Sequence, residues 1–331
     1  MPFDNLRNTK IERLSLPLLT LFTFLSLVFA VFIPLFGVAG VIFLPVPVTL
    51  LVLSGRVRDS IICAVIACAI FVYFDYVMAP IIAILIVVIS FIYKNSIRKD
   101  KRKLYTIACI FLSFCGALLL YFIITSLVNK VNYISEVVKN YNAYIDQVFS
   151  SEFILKYSDL MPVDRSQLEI ILNQTRDILK FIIYIIPGIL ISLIALVSFM
   201  NYIATNAVLI RYGFNIKPFE SFKNWDIPWY YCWGVITGLI LILIPYGGQN
   251  LNKILDIAGF NLLAVFCPLY LILGISVLWG VMDKFKVSLI WRIIIFLLLS
   301  LFLSFTVLIL SFIGLIDIWF NFRRLERKQL A

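Results

Sequence analysis

Apolar positions in this chain fall into long unbroken blocks, and polar residues are confined to short intervals between them. A hydrocarbon core of about 30 Å is crossed by roughly 20 helical residues. Blocks of about that length recur at about 16–34, 60–78, 80–93, 104–128, 181–209, 229–246, 257–281 and 293–316. The first continues beyond one span. Pro34, Gly37 and Gly40 break it, and a second, irregular element follows at about 40–54 with Pro45 and Pro47 in LPVPVTLLVL. Two prolines this close remove backbone donors and bend a helix. The element reads either as a proline kink near an interface or as broken backbone that protein must cover. The pattern predicts an all-α, polytopic transmembrane helix bundle of eight to ten spans.

One interval behaves differently. Residues 129–180 carry six Lys/Arg and seven Asp/Glu. Within it Val131, Ile134, Val138, Tyr141, Ile145 and Val148 recur at helical spacing, which predicts an amphipathic helix over 131–149. A second is expected over 164–180 after Pro162, with Ser166 and Glu169 as a capping box, running on into the span at 181–209. Residues 1–211 then form a six-span bundle carrying this amphipathic insertion. Residues 212–331 supply the C-terminal transmembrane helices and a basic tail.

Composition agrees with the pattern. Of 331 residues 63% are hydrophobic and 14% charged, against about 45–50% and 25% in soluble domains. The net charge of +10 does not signal nucleic acid, because Lys and Arg cluster between apolar blocks, as at Arg56 and Arg58, at SIRKDKRK (96–103) and at Arg323, Arg324, Arg327 and Lys328. Basic loops face the cytoplasm. The N-terminus, 56–58, 94–103, 211–223 and 284–292 are therefore expected inside, and 129–180 outside. A single last span would place the basic tail outside, so residues 289–319 read as one span or as a hairpin that returns the tail to the cytoplasm. The first apolar block, from Leu14, exceeds a signal-peptide h-region and lacks a small-residue cleavage site. The six cysteines lie in apolar runs without a CxxC pair, and the chain has no histidine. No metal site or cofactor is expected on these grounds, and the thiols read as small hydrophobes.

The closing segment GLIDIWFNFRR follows the Gly-rich span LILGISVLWGVMDKFK. Through Gly314, Leu315, Asp317, Trp319, Asn321, Phe322 and Arg323 it resembles the YybS-like family of bacterial membrane proteins of unknown function. Asn201, Ala204 and Arg211 resemble a weaker pattern of that family. The family is similar in turn to the substrate-capturing S components of energy-coupling-factor transporters, which have six helices with both ends in the cytoplasm. That likeness implies solute capture by residues 1–211 in the bacterial cytoplasmic membrane. The Ala-x-x-x-Ala docking pattern of S components does not occur between residues 16 and 34, and the spans after 212 are foreign to them. The outline also resembles autoinducer-2 exporter-like proteins.

Ionisable residues inside a membrane are functional candidates. Asp75, expected in the last third of its span and flanked by Tyr73 and Tyr76, is the first such residue, with Asn201 as a second polar group for a solute. The alternative reading of Asp75 is a wet interface aspartate, and that of Asn201 and Asn206 is hydrogen-bonding links between helices. Gly314, Asp317, Trp319, Phe322 and Arg323 read as a structural motif in which Asp317 pairs with Arg323 or Arg324. No phosphate loop, nucleophile motif or metal-ligand cluster is present, so an enzyme is not expected. The partners implied are the lipid bilayer and a small solute. A solute-capturing protein requires a polar cavity among its second to sixth spans. An envelope assembly factor requires none, and an embedded enzyme requires converging ionisable groups.

Overall fold

The computed structural model describes residues 15–33, 36–149, 165–214, 216, 218–244, 249–323 and 325. The N-terminal basic residues, Pro34, Pro162, the Ser166 side chain of the expected capping box, the turn at 247–248 and Arg324, Arg327 and Lys328 lie outside them. Every regular element among the described residues is helical. In chain order these are α1 Leu16–Phe32, α2 Gly37–Phe43, α3 Val46–Leu53, α4 Val57–Ala69, α5 Met78–Arg98, α6 Lys103–Asn129, α7 Tyr133–Val148, α8 Arg165–Ile182, α9 Ile186–Arg211, α10 Cys232–Leu243, α11 Gln249–Lys284, α12 Leu289–Leu301 and α13 Leu303–Phe320. Single 3₁₀ turns occupy Ile70–Tyr73, Phe222–Asn224 and Trp229–Tyr231. Five helices are long and apolar enough to cross a membrane: Met78–Arg98, Lys103–Asn129, Ile186–Arg211, Leu251–Lys284 and Leu303–Phe320. The chain is a multi-pass helical membrane protein.

Contacts divide it into two units, residues 1–143 with 193–219, and residues 144–192 with 220–331. The amphipathic segment, grouped in the sequence with the first six spans, is shared between them.

In the first unit the expected irregular element is a break between α2 and α3. Pro45 caps α3 and Pro47 lies in its first turn, where missing N–H groups cost least. The break is covered by protein: Val46 to Val52 are all buried. Thr49 Oγ1 donates to the Pro45 carbonyl (2.8 Å) and meets Ser90 Oγ of α5 at 3.1 Å. At the end of α2, the Ile42 carbonyl accepts from Asn201 Nδ2 of α9 at 2.6 Å. The Asn201 amide therefore serves the backbone of a broken helix, a use open only to a polar side chain fixed on a neighbouring span.

Two helix boundaries differ from expectation. The block at 60–78 is not one helix, since α4 ends at Ala69, a 3₁₀ turn follows and residues 74–77 form a turn. Crowded aromatic side chains in FVYFDY disfavour a continued helix. The second amphipathic helix does not run into the next span, because a turn at 183–185 separates α8 from α9 and Pro187 sits in the first turn of α9.

In the second unit α11 and α13 cross with almost no side chain between them. A Cβ on Gly274 would stand 1.8 Å from the Leu310 carbonyl oxygen, and one on Gly314 2.1 Å from that of Tyr270. Small residues let membrane helices approach this closely. The pairing of 270 with 314 and of 276 with 323 makes these two helices parallel. The chain between them must therefore double back, and α12 does so, placing Arg292 and Phe296 against Trp279. Residues 289–319 form the hairpin. At its tip the Thr306 Oγ1 and Ser300 Oγ hydroxyls donate to the Leu299 and Leu297 carbonyls, both at 2.7 Å.

The amphipathic helices are α7 and α8, close to the expected limits. Asp146 accepts from Lys180 (2.6 Å) and from Arg176. These hydrogen bonds, that of Lys180 foremost, hold its carboxyl below the ordinary value of 3.8.

Candidate functional site

Asp75 stands in the turn before α5, half-buried, and caps that helix: its Oδ1 accepts from the N–H groups of Val77 (2.9 Å) and Met78 (2.8 Å). An aspartate before a helical run serves this purpose well. Its Oδ2 accepts from the Tyr121 hydroxyl of α6 at 3.0 Å. The flanking tyrosines do not join it, since Tyr73 is 90% exposed and Tyr76 62%. Tyr121, absent from the sequence reading, is the tyrosine that meets it.

Asn201 is fully buried, and besides its bond to Ile42 its Oδ1 accepts from Tyr93 Oη at 3.1 Å. Tyr93 lies fifteen residues along α5 from Met78, so about 23 Å separates this contact from the Asp75 cap. The structure does not bring Asp75 and Asn201 together.

The residues of the C-terminal motif do converge. Asn321 adopts a left-handed conformation (φ 45°) and ends α13, folding the chain back. Arg323 thereby meets Asp317 at 2.8 Å, although six residues separate them, and both side chains are at most 3% exposed. Arg323 Nη1 also donates to the Lys223 and Trp225 carbonyls and to Ser276 Oγ, at 2.8–2.9 Å. Asp317 Oδ1 accepts from Phe322 N–H at 2.8 Å. Trp319 is exposed. The cluster ties the end of α13 to α11 and to the segment before α10.

A different arrangement closes the end of the first unit where α5, α6 and α9 meet. Here a cavity of about 420 Å³ lies between the C-terminal end of α5, the start of α6 and one face of α9. Its inner wall is Tyr93 stacked on Tyr202, with ring centroids 6.3 Å apart and planes at 13°. Ser96, Thr106 and Asn206 line it, each at most 6% exposed. Asn206 Nδ2 and Ser96 Oγ have no hydrogen-bond partner. The Tyr202 hydroxyl approaches the Asn206 amide without completing a bond of normal geometry. Lys101, Arg102 and Lys103 form the rim together with Asp100, three cationic groups to one carboxylate.

Backbone polarity at the two helix ends differs. The last carbonyls of α5 are occupied, Asn95, Ser96 and Ile97 accepting from the N–H groups of Lys99, Lys101 and Asp100. At the start of α6, Arg102 occupies the cap position and no side chain caps the first N–H groups. Donors therefore outnumber acceptors around the cavity.

In the sequence SIRKDKRK marks a basic loop between spans, and Asn206 reads as a link between helices. A polar amide one turn from a basic helix end was the available signal, and only the tertiary arrangement joins the two. Among the described residues no group of three His, Cys, Asp or Glu side chains is placed to hold a metal ion.

Over residues 20–318 the chain matches the model of a family described as predicted membrane protein (DUF2232). The chain belongs to this family. Its match takes in the break between α2 and α3, all three cavity helices and the Asp317 carboxylate, and it stops short of Arg323. Comparison with curated proteins and with solved structures gives no match.

Proposed function

We propose that this DUF2232 protein captures a small solute in the cavity between α5, α6 and α9, as a solute-binding or transport protein of the bacterial cytoplasmic membrane. The observation that carries the reading is the pair of buried polar groups, Asn206 Nδ2 and Ser96 Oγ, left without partners on the cavity wall. An unpaired buried donor costs about 1–3 kcal/mol, a cost that a bound solute would remove. The cavity lies among the fourth to sixth sequence-expected spans, where a solute-capturing protein needs one. The YybS-like closing segment and the S-component-like count of six spans up to residue 211 support the same reading. No catalytic step is part of it.

Each unit gathers its basic loops at one end. In the first, Lys103 Nζ reaches the Pro218 carbonyl, and the opposite end holds Asp75 with Tyr121 and Tyr133. In the second, Asp283 pairs with Lys223 and Arg292 near Arg323. Basic loops inside give a cytoplasmic cavity mouth and tail, with 129–180 outside.

Native mass spectrometry of the full chain released from detergent tests the function. A bound mass beyond lipid and detergent is expected in the wild type and should be lost in Asn206→Leu at equal folding. No such mass, or equal retention in the variant, would sink the reading.

A further inference from the structure

We infer that the group held in the α5–α6–α9 cavity is an anion of the phosphate class, carried on an organic remainder. The inference rests on the capture reading and narrows its ligand.

Four observations point the same way. The two groups without partners on the cavity wall are an amide N–H₂, which can only donate, and a hydroxyl, which can donate. The mouth carries Lys101, Arg102 and Lys103 against Asp100 alone. The first N–H groups of α6, a helix of 27 residues, lack a side-chain cap beside the cavity, and a helix N-terminus favours negative charge. The carbonyls at the end of α5, which would repel an anion, are already engaged by the loop that follows. A cationic ligand would find one carboxylate and several opposing charges.

The number and spread of donors distinguish between anions. The donors come from three elements: the basic stretch 101–103 with the α6 N-terminus, the Ser96 hydroxyl of α5 and the Asn206 amide of α9. A carboxylate offers two oxygens in one plane, whereas a phosphate monoester offers three in a tetrahedral array, and Arg recognises it through paired N–H groups. About 420 Å³ exceeds the needs of a bare phosphate, and the Tyr93–Tyr202 stack gives an organic remainder an apolar face. Such a group comes from a soluble phosphate ester or from the headgroup of a lipid entering between helices.

The experiment uses the full chain in a non-ionic detergent and measures thermal unfolding and native mass spectra with three phosphate probes and two controls. Glycerol phosphate and inorganic phosphate represent the soluble source, with chloride at equal ionic strength as control. Phosphatidic acid represents the lipid source, with diacylglycerol of the same chains as control. At least one phosphate probe should bind and stabilise the wild type, while both controls do nothing. Binding to glycerol phosphate identifies a soluble ester, and binding to phosphatidic acid alone identifies a lipid headgroup. The double variant K101Q/R102Q changes only exposed side chains and should weaken binding at least tenfold without changing ligand-free unfolding. N206D places a carboxylate on the cavity wall and should abolish binding, whereas N206Q should retain part of it. Equal binding in wild type and variants, or no binding by any phosphate probe, overturns the inference. A retained neutral or cationic solute that N206L releases would overturn the anion while leaving capture intact.

Discussion

Two polar clusters of this protein are built from similar side chains to opposite effect. At the end of α13, Arg323 and Asp317 are buried and saturated: guanidinium, carboxylate, Ser276 hydroxyl and two backbone carbonyls all find partners. At the α5–α6–α9 cavity the basic residues stay at the rim, and the buried amide and hydroxyl behind them stay unpaired. A cluster that holds helices together completes its hydrogen bonds within the chain. The cavity, which the capture reading fills with a solute, leaves donors over. In charge and residue type the two clusters are alike, and they differ in how many of their groups are satisfied.

Four substitutions or conditions break or sharpen this contrast. Arg323→Met should have the largest effect, because it strands Asp317 without its cation, and breaking a buried pair costs about 3–5 kcal/mol. Reversible unfolding in detergent should show that loss, while the cavity keeps its ligand. Asn201→Leu comes next. It takes the Nδ2 donor from the Ile42 carbonyl and the Oδ1 acceptor from Tyr93, so a loss of about 1–3 kcal/mol is expected. A saturated polar group in the first unit should thus behave like the C-terminal cluster and unlike its neighbour Asn206. Asn206→Leu should not lower ligand-free stability and should raise it by up to about 1–3 kcal/mol, since it removes a buried donor that has no partner. A large loss of ligand-free stability there would mean that the amide is structural, and the contrast would collapse.

The smallest effect is expected at Asp146, a carboxylate paired with Lys180 and Arg176 but open to solvent. Its folded-state pKa lies below the unfolded value, so its contribution is present above pH 3.8 and fades as the pH falls through the lowered value. Amide exchange over 165–182, corrected for intrinsic rate, should be unchanged from pH 7 to pH 5 and faster only below about pH 4. Faster exchange already at pH 5 would contradict this pairing.

Run length made most of the spans legible, because a membrane helix needs little beyond about 20 apolar residues. Spacing at three and four residues located α7 and α8 for the same kind of reason. The early end of α4 was hidden: residues 70–74 contain neither proline nor glycine, and the aromatic crowding that ends the helix leaves no period. The Asp75 cap was readable in principle, as an acidic residue ahead of a helical run, but its place within an apolar block drew attention to its charge instead. Pro187 in the same way marked the separate start of α9. The pairing of Asp317 with Arg323 was legible as a motif, and its means, a left-handed Asn321, required coordinates. The cavity was not legible, because Ser96 lies on α5, Arg102 at the cap of α6 and Asn206 on α9, and none is unusual in its place.

The α12–α13 hairpin has a topographical consequence. Its first arm, α12, of 13 residues reaches about 20 Å, short of the roughly 30 Å of hydrocarbon. The tip at Phe302 therefore turns among acyl chains, with Ser300 and Thr306 supplying the donors that water gives an ordinary loop. A cysteine at 302 should resist charged maleimides from both faces of the membrane and react only with a reagent soluble in lipid.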